Sequence, residues 1–303
     1  MNIKTIDIFA TQYVENIANS LSIVLNTLNI NTTVNIRYVT NQDIALCNSD
    51  NTRFMFLFCP QWVYPSDKNI QQLPSNKYFF YQLEQFDKSG SQHISNEFVY
   101  KLMRNSKHIF DYSKINIQYY SKPPFNIPNN KVSHLIPPLV KHINDITELK
   151  CNKPIDVLFV GTLNDRRIKI INNLLANNIK VYIPQNCFGN NLTQLIKKSK
   201  IFLNIRFSNS VILETCRLHE ALLLNDIYII SEIPGSELES EYINLYKSKV
   251  HFINNISNNN TDQVIKTIKI ILSIYDKKHD AIFNPIDINT RIENTLINVF
   301  SNM

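Results

Sequence analysis

The chain has 303 residues, 44% hydrophobic and 11% aromatic, enough for two ordinary cores of about 150 residues each and incompatible with a disordered or fibrous protein. Its net charge of +6 is spread along the chain and not gathered into blocks, which argues against nucleic acid as a partner and favours small anions. The five cysteines (Cys47, Cys59, Cys151, Cys187, Cys216) form no C-x-x-C pair, the first ten residues lack the pattern of an export signal, and no stretch reaches the ~20 apolar residues that cross a bilayer; a reducing, cytoplasmic setting is expected, with no disulfide framework, zinc site or membrane span.

The first half alternates strand and helix. An apolar alternation at 3–9 precedes Tyr13, Ile17, Leu21, Val24, Leu25 and Leu28 at helical spacing, and the β-branched stretch 33–39 follows. Continuous apolar runs at 54–59 and 78–83 read as buried parallel strands, the first stopped by Pro60. A helix at 95–104, a strand at 108–112, a helix at 113–120 and a strand at 132–136 complete one α/β domain, 1–140. The proline-bearing polar stretch that follows supplies a linker, 141–154.

The second half repeats the alternation: strand 156–160, helix to 176, strand 179–183, helix from 191, strand 200–205, helix 213–224, strand 227–231. The Ser236-x-x-Glu239 pattern of a capping box predicts a helix start before strand 250–253. Helices at 261–275 and 288–300 end the chain. The reading is a second doubly wound domain, 155–285, and a C-terminal helix, 286–303, for which a return to the first domain is one option.

In open α/β sheets ligands bind at the carboxyl ends of the strands. Four such ends carry polar residues: 82–84, 161–167, 204–208, and Ser231 with Glu232. At the second, an apolar strand meets Gly161, one of only four glycines, and then a helix that opens with Arg166 and Arg167. A helix N-terminus already carries partial positive charge, so two cations there are unfavourable unless an anion neutralises them, and a phosphate-bearing ligand is expected. The simpler alternative is that Asp165 caps the helix and both arginines face water. In helix 213–224, Arg217 and Glu220 are three apart and share a face. They could serve a diphosphate and a ribose diol, with Glu214 on a sugar hydroxyl, or form an ordinary exposed salt bridge.

The ordered set G-T-L-N-x-R-R, L-N-I-R-F-S, L-E-T-x-R-L-x-E-A-L and I-I-S-E resembles the nucleotide-binding domain of GT-B glycosyltransferases of the group-1 type. The stretches Tyr-Phe-Phe-Tyr-Gln-Leu-Glu-Gln at 78–85 and Phe-Asp-Tyr-Ser-Lys-Ile-Asn at 110–116 are similar to the acceptor-side domain of the same class. The likeness runs from about Phe54 to Glu232. It implies two Rossmann-like domains facing a cleft and transfer of a sugar from a nucleoside diphosphate sugar to an acceptor hydroxyl, in retaining mode. Glu220 matches the family's ribose-binding glutamate. The implied donor pocket takes in Gly161, Thr162, Asn164, Arg206, Arg217, Glu220, Ser231 and Glu232, and the implied catalytic set is Glu84, Arg166, Arg167 and Glu214. Two features depart from the family: Glu214 and Glu220 stand closer together than is usual, and the stretch after the first strand, Phe9-Ala-Thr-Gln, has no glycine.

No D-x-D triplet occurs, so no metal is expected; guanidinium groups and helix N-termini would stabilise the departing diphosphate. No cofactor is expected beyond the donor substrate, and the acceptor is a glycan, a lipid or a protein-linked sugar. Glu84 is the first candidate to take the acceptor proton, with His93 and Asp111 behind it, unless the leaving phosphate serves as base. His219, among core leucines, reads as structural. Tyr182, Phe188 and Tyr228 are candidates to touch the base. The competing readings are a non-catalytic nucleotide-sugar binder, a GT-B-shaped epimerase and, last, a glucosyltransferase acting on DNA bases.

Overall fold

The computed structural model describes residues 3–63, 73–86, 97–140, 153–207, 212–236, 239–254, 256, 261–275 and 285–302. The chain divides into two units, Met1–His142 with Pro285–Met303, and Ile143–Asn284. Of the expected linker only Lys153 and Pro154 are among the described residues, and His93 lies outside them.

In the first unit, β1 (Thr5–Phe9), β2 (Asn31–Asn35), β3 (Arg53–Phe58), β4 (Tyr78–Gln82), β5 (His108–Asp111) and β6 (Val132–His134) form a parallel sheet in the order β2-β1-β3-β4-β5-β6. The apolar runs become β3 and β4 because strands covered on both faces need no alternation. Met55 and Leu57 pack to one side with Val39, Ile44 and Cys47. Phe56 stacks on Phe110 with ring centroids 5.4 Å apart. Helices α1 (Glu15–Thr27), α2 (Asn41–Ser49), α3 (Pro60–Val63), α4 (Glu97–Asn105) and α5 (Lys114–Tyr120) connect the strands. Helix α2 was not predicted because only Ile44 and Cys47 of it are buried; its legible signal is the capping box of Thr40 and Asp43. The final helix, Ile286–Ser301, belongs to this unit. It buries Ile288, Ile292 and Leu296 at four-residue spacing, and Asn289 exchanges both amide hydrogen bonds with the backbone of Leu139.

In the second unit, β7 (Ile155–Phe159), β8 (Val181–Tyr182), β9 (Ser199–Asn204), β10 (Tyr228–Glu232) and β11 (Val250–Ile253) form a parallel sheet in the order β11-β10-β9-β7-β8. Between them run α6 (Asp165–Ala176), α7 (Gly189–Lys197), α8 (Thr215–Leu222), α9 (Ser240–Tyr246) and α10 (Asp262–Ile274). Helix α9 has Glu239, not Ser236, at its N-cap, and the Glu239 N–H reaches back to the carbonyl of Ser236 at 3.1 Å.

Each sheet places its first strand between the second and the third. The direction of growth therefore reverses between β1 and β3 in one unit and between β7 and β9 in the other. At such a switch point the connections leave on opposite faces and the strand ends open a crevice for a ligand.

Candidate functional site

The switch point of the second unit holds the residues the sequence singles out. After β7 the chain turns at Gly161, whose φ of +145° is a conformation that side-chain-bearing residues rarely adopt. A Cβ there would stand 3.2 Å from both Arg167 Nη1 and Arg217 Cζ, so two guanidinium groups converge over this glycine. Asn164, not Asp165, caps α6: its side-chain oxygen accepts the Arg167 N–H at 3.0 Å, while its amide reaches the carbonyl of Phe207.

Arg167 does not face water, and Arg166 does so only in small part. Arg167 is wholly buried, its Nε and Nη2 bound to the carbonyl of Ile205 at 3.0 and 2.7 Å and its Nη1 to that of Thr162 at 2.7 Å. Its charge meets Glu214 at 3.2 Å, and its guanidinium lies over the rings of Phe159 and Phe207. Burial and then the neighbouring Arg217 cation lower its pKa to about 10. Arg166 pairs with Glu232 and also donates to the carbonyls of Arg206 and Ile256. The dipole argument for a bound anion is thus incomplete, because two carboxylates remote in sequence already meet the twin arginines.

Charge still does not balance. Glu214 also binds Arg217, and Glu232 stands 3.7 Å from Arg206, so among these described residues four guanidinium groups meet two carboxylates. Arg217 retains 21% side-chain exposure and Arg166 16%. Those two can be offered to a ligand, with Arg167 adding charge from beneath. Exposed Thr162 and Leu163 rim the same edge, and so does Phe207, 47% exposed, an aromatic platform that sequence reasoning passed over inside L-N-I-R-F-S.

Other expected roles change. Glu214 is not in the first turn of α8 but just before it, clamped by Arg167, Arg217 and the Phe207 N–H. Arg217 turns to Glu214 and Asn204, so the exposed pair with Glu220 does not form. Ser231 and Glu232 are wholly buried. Ser231 is bonded to the Asn204 amide at 3.0 Å, and Glu232 accepts from Arg166, the Arg206 N–H and the Ile256 N–H, tying three loops together. Glu220 is nearly buried, held by the hydroxyl of Thr193 at 2.8 Å with His219 at 3.5 Å; Thr193, on α7, was not legible as its partner. Tyr228 begins β10 and packs on His251 and Tyr275 at the amino end of the sheet, away from the switch point. Tyr182 ends β8 and Phe188 directly precedes α7.

In the first unit, Asp111 sits inside a hydrogen-bond network. It is wholly buried and accepts from the Ser113 N–H, the Asn116 amide and the Tyr120 hydroxyl at 2.8, 3.1 and 2.8 Å. Glu84 is exposed just beyond β4, its carbonyl held by Asn116 at 2.8 Å. Among the described residues no three His, Cys, Asp or Glu side chains gather as a metal-binding set, and no helix is long and apolar enough to cross a membrane.

No protein-family model and no curated protein matches the chain. Among solved structures it is similar to the glycotransferase of kitacinnamycin over 99% of this chain and 100% of that one, at 7% identity and a TM-score of 0.33. It is similar to the E. coli RcsC C-terminus, with linker region and phosphoreceiver domain, over 92% and 97%, at 11% identity and 0.27. A third is the NAD-complexed D-isomer-specific 2-hydroxyacid dehydrogenase of Lactobacillus delbrueckii ssp. bulgaricus, over 98% of each chain, at 11% and 0.23. Likenesses this distant carry no chemistry; the α/β build rests on the two parallel sheets themselves.

Proposed function

We propose that the protein is a metal-independent GT-B glycosyltransferase that moves a sugar from a nucleoside diphosphate sugar to an acceptor hydroxyl. The observation that carries this reading is the convergence of Arg167 and Arg217 over Gly161 at a switch point where, among the described residues, guanidinium groups outnumber carboxylates. Arg217 and Arg166 bind the diphosphate oxygens, and Phe207 offers a face to the base. As the bond between sugar and diphosphate breaks, negative charge grows on the leaving group, and guanidinium groups already held by Glu214 and Glu232 meet it without reorganising. Glu220, oriented by Thr193, takes the ribose hydroxyls, and Glu84 orients or deprotonates the acceptor.

The test begins with UDP, GDP and dTDP in a thermal-shift assay, where a selective ligand raises the melting temperature by linkage. Nucleotide release from the matching sugars is then followed. Arg217→Ala is expected to slow turnover by about 10²-fold, the scale of losing one preorganised donor, with the melting temperature of the free protein little changed. Absence of binding by every diphosphate, or unchanged turnover in the variant, rejects the reading. A non-catalytic nucleotide-sugar binder is favoured by one observation: Asp111 and Glu214 are both engaged in structural contacts. Binding without nucleotide release decides for it.

A further inference from the structure

We propose that Glu214 is a built-in competitor at the Gly161 turn: its carboxylate meets the charge of Arg167 and Arg217 when no ligand is bound, and so sets how tightly an anion binds there. As control of a nucleotide site this rests on the proposed function; as a property of the guanidinium pair toward anions it does not.

The two carboxylates of the switch point differ in what depends on them. Glu232 is wholly buried, and besides the Arg166 guanidinium it accepts the N–H groups of Arg206 and Ile256 at 2.8 and 3.1 Å. Glu214 keeps 11% side-chain exposure and takes one backbone N–H, that of Phe207, at 3.2 Å. Its other donors have acceptors elsewhere. Arg167 Nη2 donates to the Ile205 carbonyl at 2.7 Å, against 3.2 Å to either oxygen of Glu214, and Arg217 Nη1 reaches Asn204 Oδ1 at 3.1 Å and the Ile205 carbonyl at 3.3 Å. As a hydrogen-bond acceptor Glu214 duplicates partners that both arginines already have. What it adds for them is negative charge.

Glu214 stands at the N-cap of α8, where a carboxylate gains from the helix dipole, yet its side chain makes no capping bond to the first turn. It turns to the arginines. The Arg217 guanidinium lies over Gly161, its Cζ 3.2 Å from where a Cβ would stand, and it keeps 21% exposure. An anion arriving at this turn therefore shares one cation with Glu214. One carboxylate between two guanidinium groups leaves a net attraction for an anion, weakened by the carboxylate's own repulsion, and in a partly buried site salt screens that repulsion little. The pair stays under-neutralised, because the Arg217 cation lowers the Arg167 pKa by more than Glu214 raises it.

The full-length parent and Glu214→Gln, which keeps the size of the side chain and removes its charge, are titrated with inorganic pyrophosphate by calorimetry. Glu214→Gln is expected to bind about tenfold more tightly, the scale of lifting one close like charge from a partly screened site. Loss of a merely structural contact moves affinity the other way. Because the change also takes a counter-ion from buried Arg167, Glu214→Asp serves as a second variant: it keeps the charge, draws it back by one methylene, and is expected to bind with an affinity between the other two. Affinity that is unchanged or lower in Glu214→Gln, or in Glu214→Asp if the amide variant does not fold, overturns the proposal, and so does an absence of pyrophosphate binding in all three proteins. Tighter pyrophosphate binding by Glu214→Gln in a protein that no nucleoside diphosphate stabilises leaves the competitor standing and removes the transferase; nucleotide turnover in the parent with no gain of affinity in either variant removes the competitor alone.

Discussion

The carboxyl edges of the two sheets share a topology and differ in chemistry. Each unit buries a carboxylate at a strand end, Asp111 on β5 and Glu232 on β10. Asp111 is held by a backbone N–H, an amide and a phenol, whereas Glu232 binds Arg166 and stands close to Arg206. The first edge carries the exposed rings of Tyr13, Tyr38 and Trp62; the second carries, among the described residues, guanidinium groups in excess of carboxylates. A shared strand order puts a switch point in both units, but the residues at the strand ends decide which class of ligand each one suits.

The largest test of this contrast is Glu232→Ala. Removing one partner of a buried ion pair strands the other, so the second unit is expected to lose roughly 3–5 kcal/mol in urea unfolding. A loss below about 1 kcal/mol would show that charge is not what ties these loops together.

Acid should act on the other unit. His108 is buried on β5 with Ser133 2.9 Å from its ring nitrogen, and burial, then the charge of Lys131, lower its pKa from 6.5 to about 4. Between those values the unfolded chain binds the proton and the folded chain does not. The stabilisation is therefore present above pH 6.5 and is lost as pH falls toward 4, by roughly 3 kcal/mol for the first unit. Urea curves at pH 7 and pH 4.5 for the parent and His108→Asn test this; the same pH dependence in both rules out His108 as the source.

The smallest effect concerns the second edge alone. Raising salt from about 0.05 to 0.5 M is expected to weaken nucleoside diphosphate binding severalfold, because partly exposed guanidinium groups are screened. Affinity unchanged across that range would show that exposed charge does not hold the ligand.

Much of the scaffold was readable from local pattern. Unbroken apolar runs such as 54–58 and 157–159 must be covered on both faces, and that alone yields buried parallel strands. Helix α2 escaped because it buries only two residues. Gly161 was legible as a special turn, though not as the point where two guanidinium groups meet.

Sequence alone therefore determined the α/β build, its two parallel sheets and the concentration of polar residues at strand ends, since these follow from periodicity and from the chemistry of single residues. Tertiary structure alone decided what the arginines do. A dipole argument sees only the first turn of α6, while Glu214 and Glu232, which meet Arg167 and Arg166, come from distant segments brought together by the sheet order. Local spacing cannot report a charge that arrives from another strand.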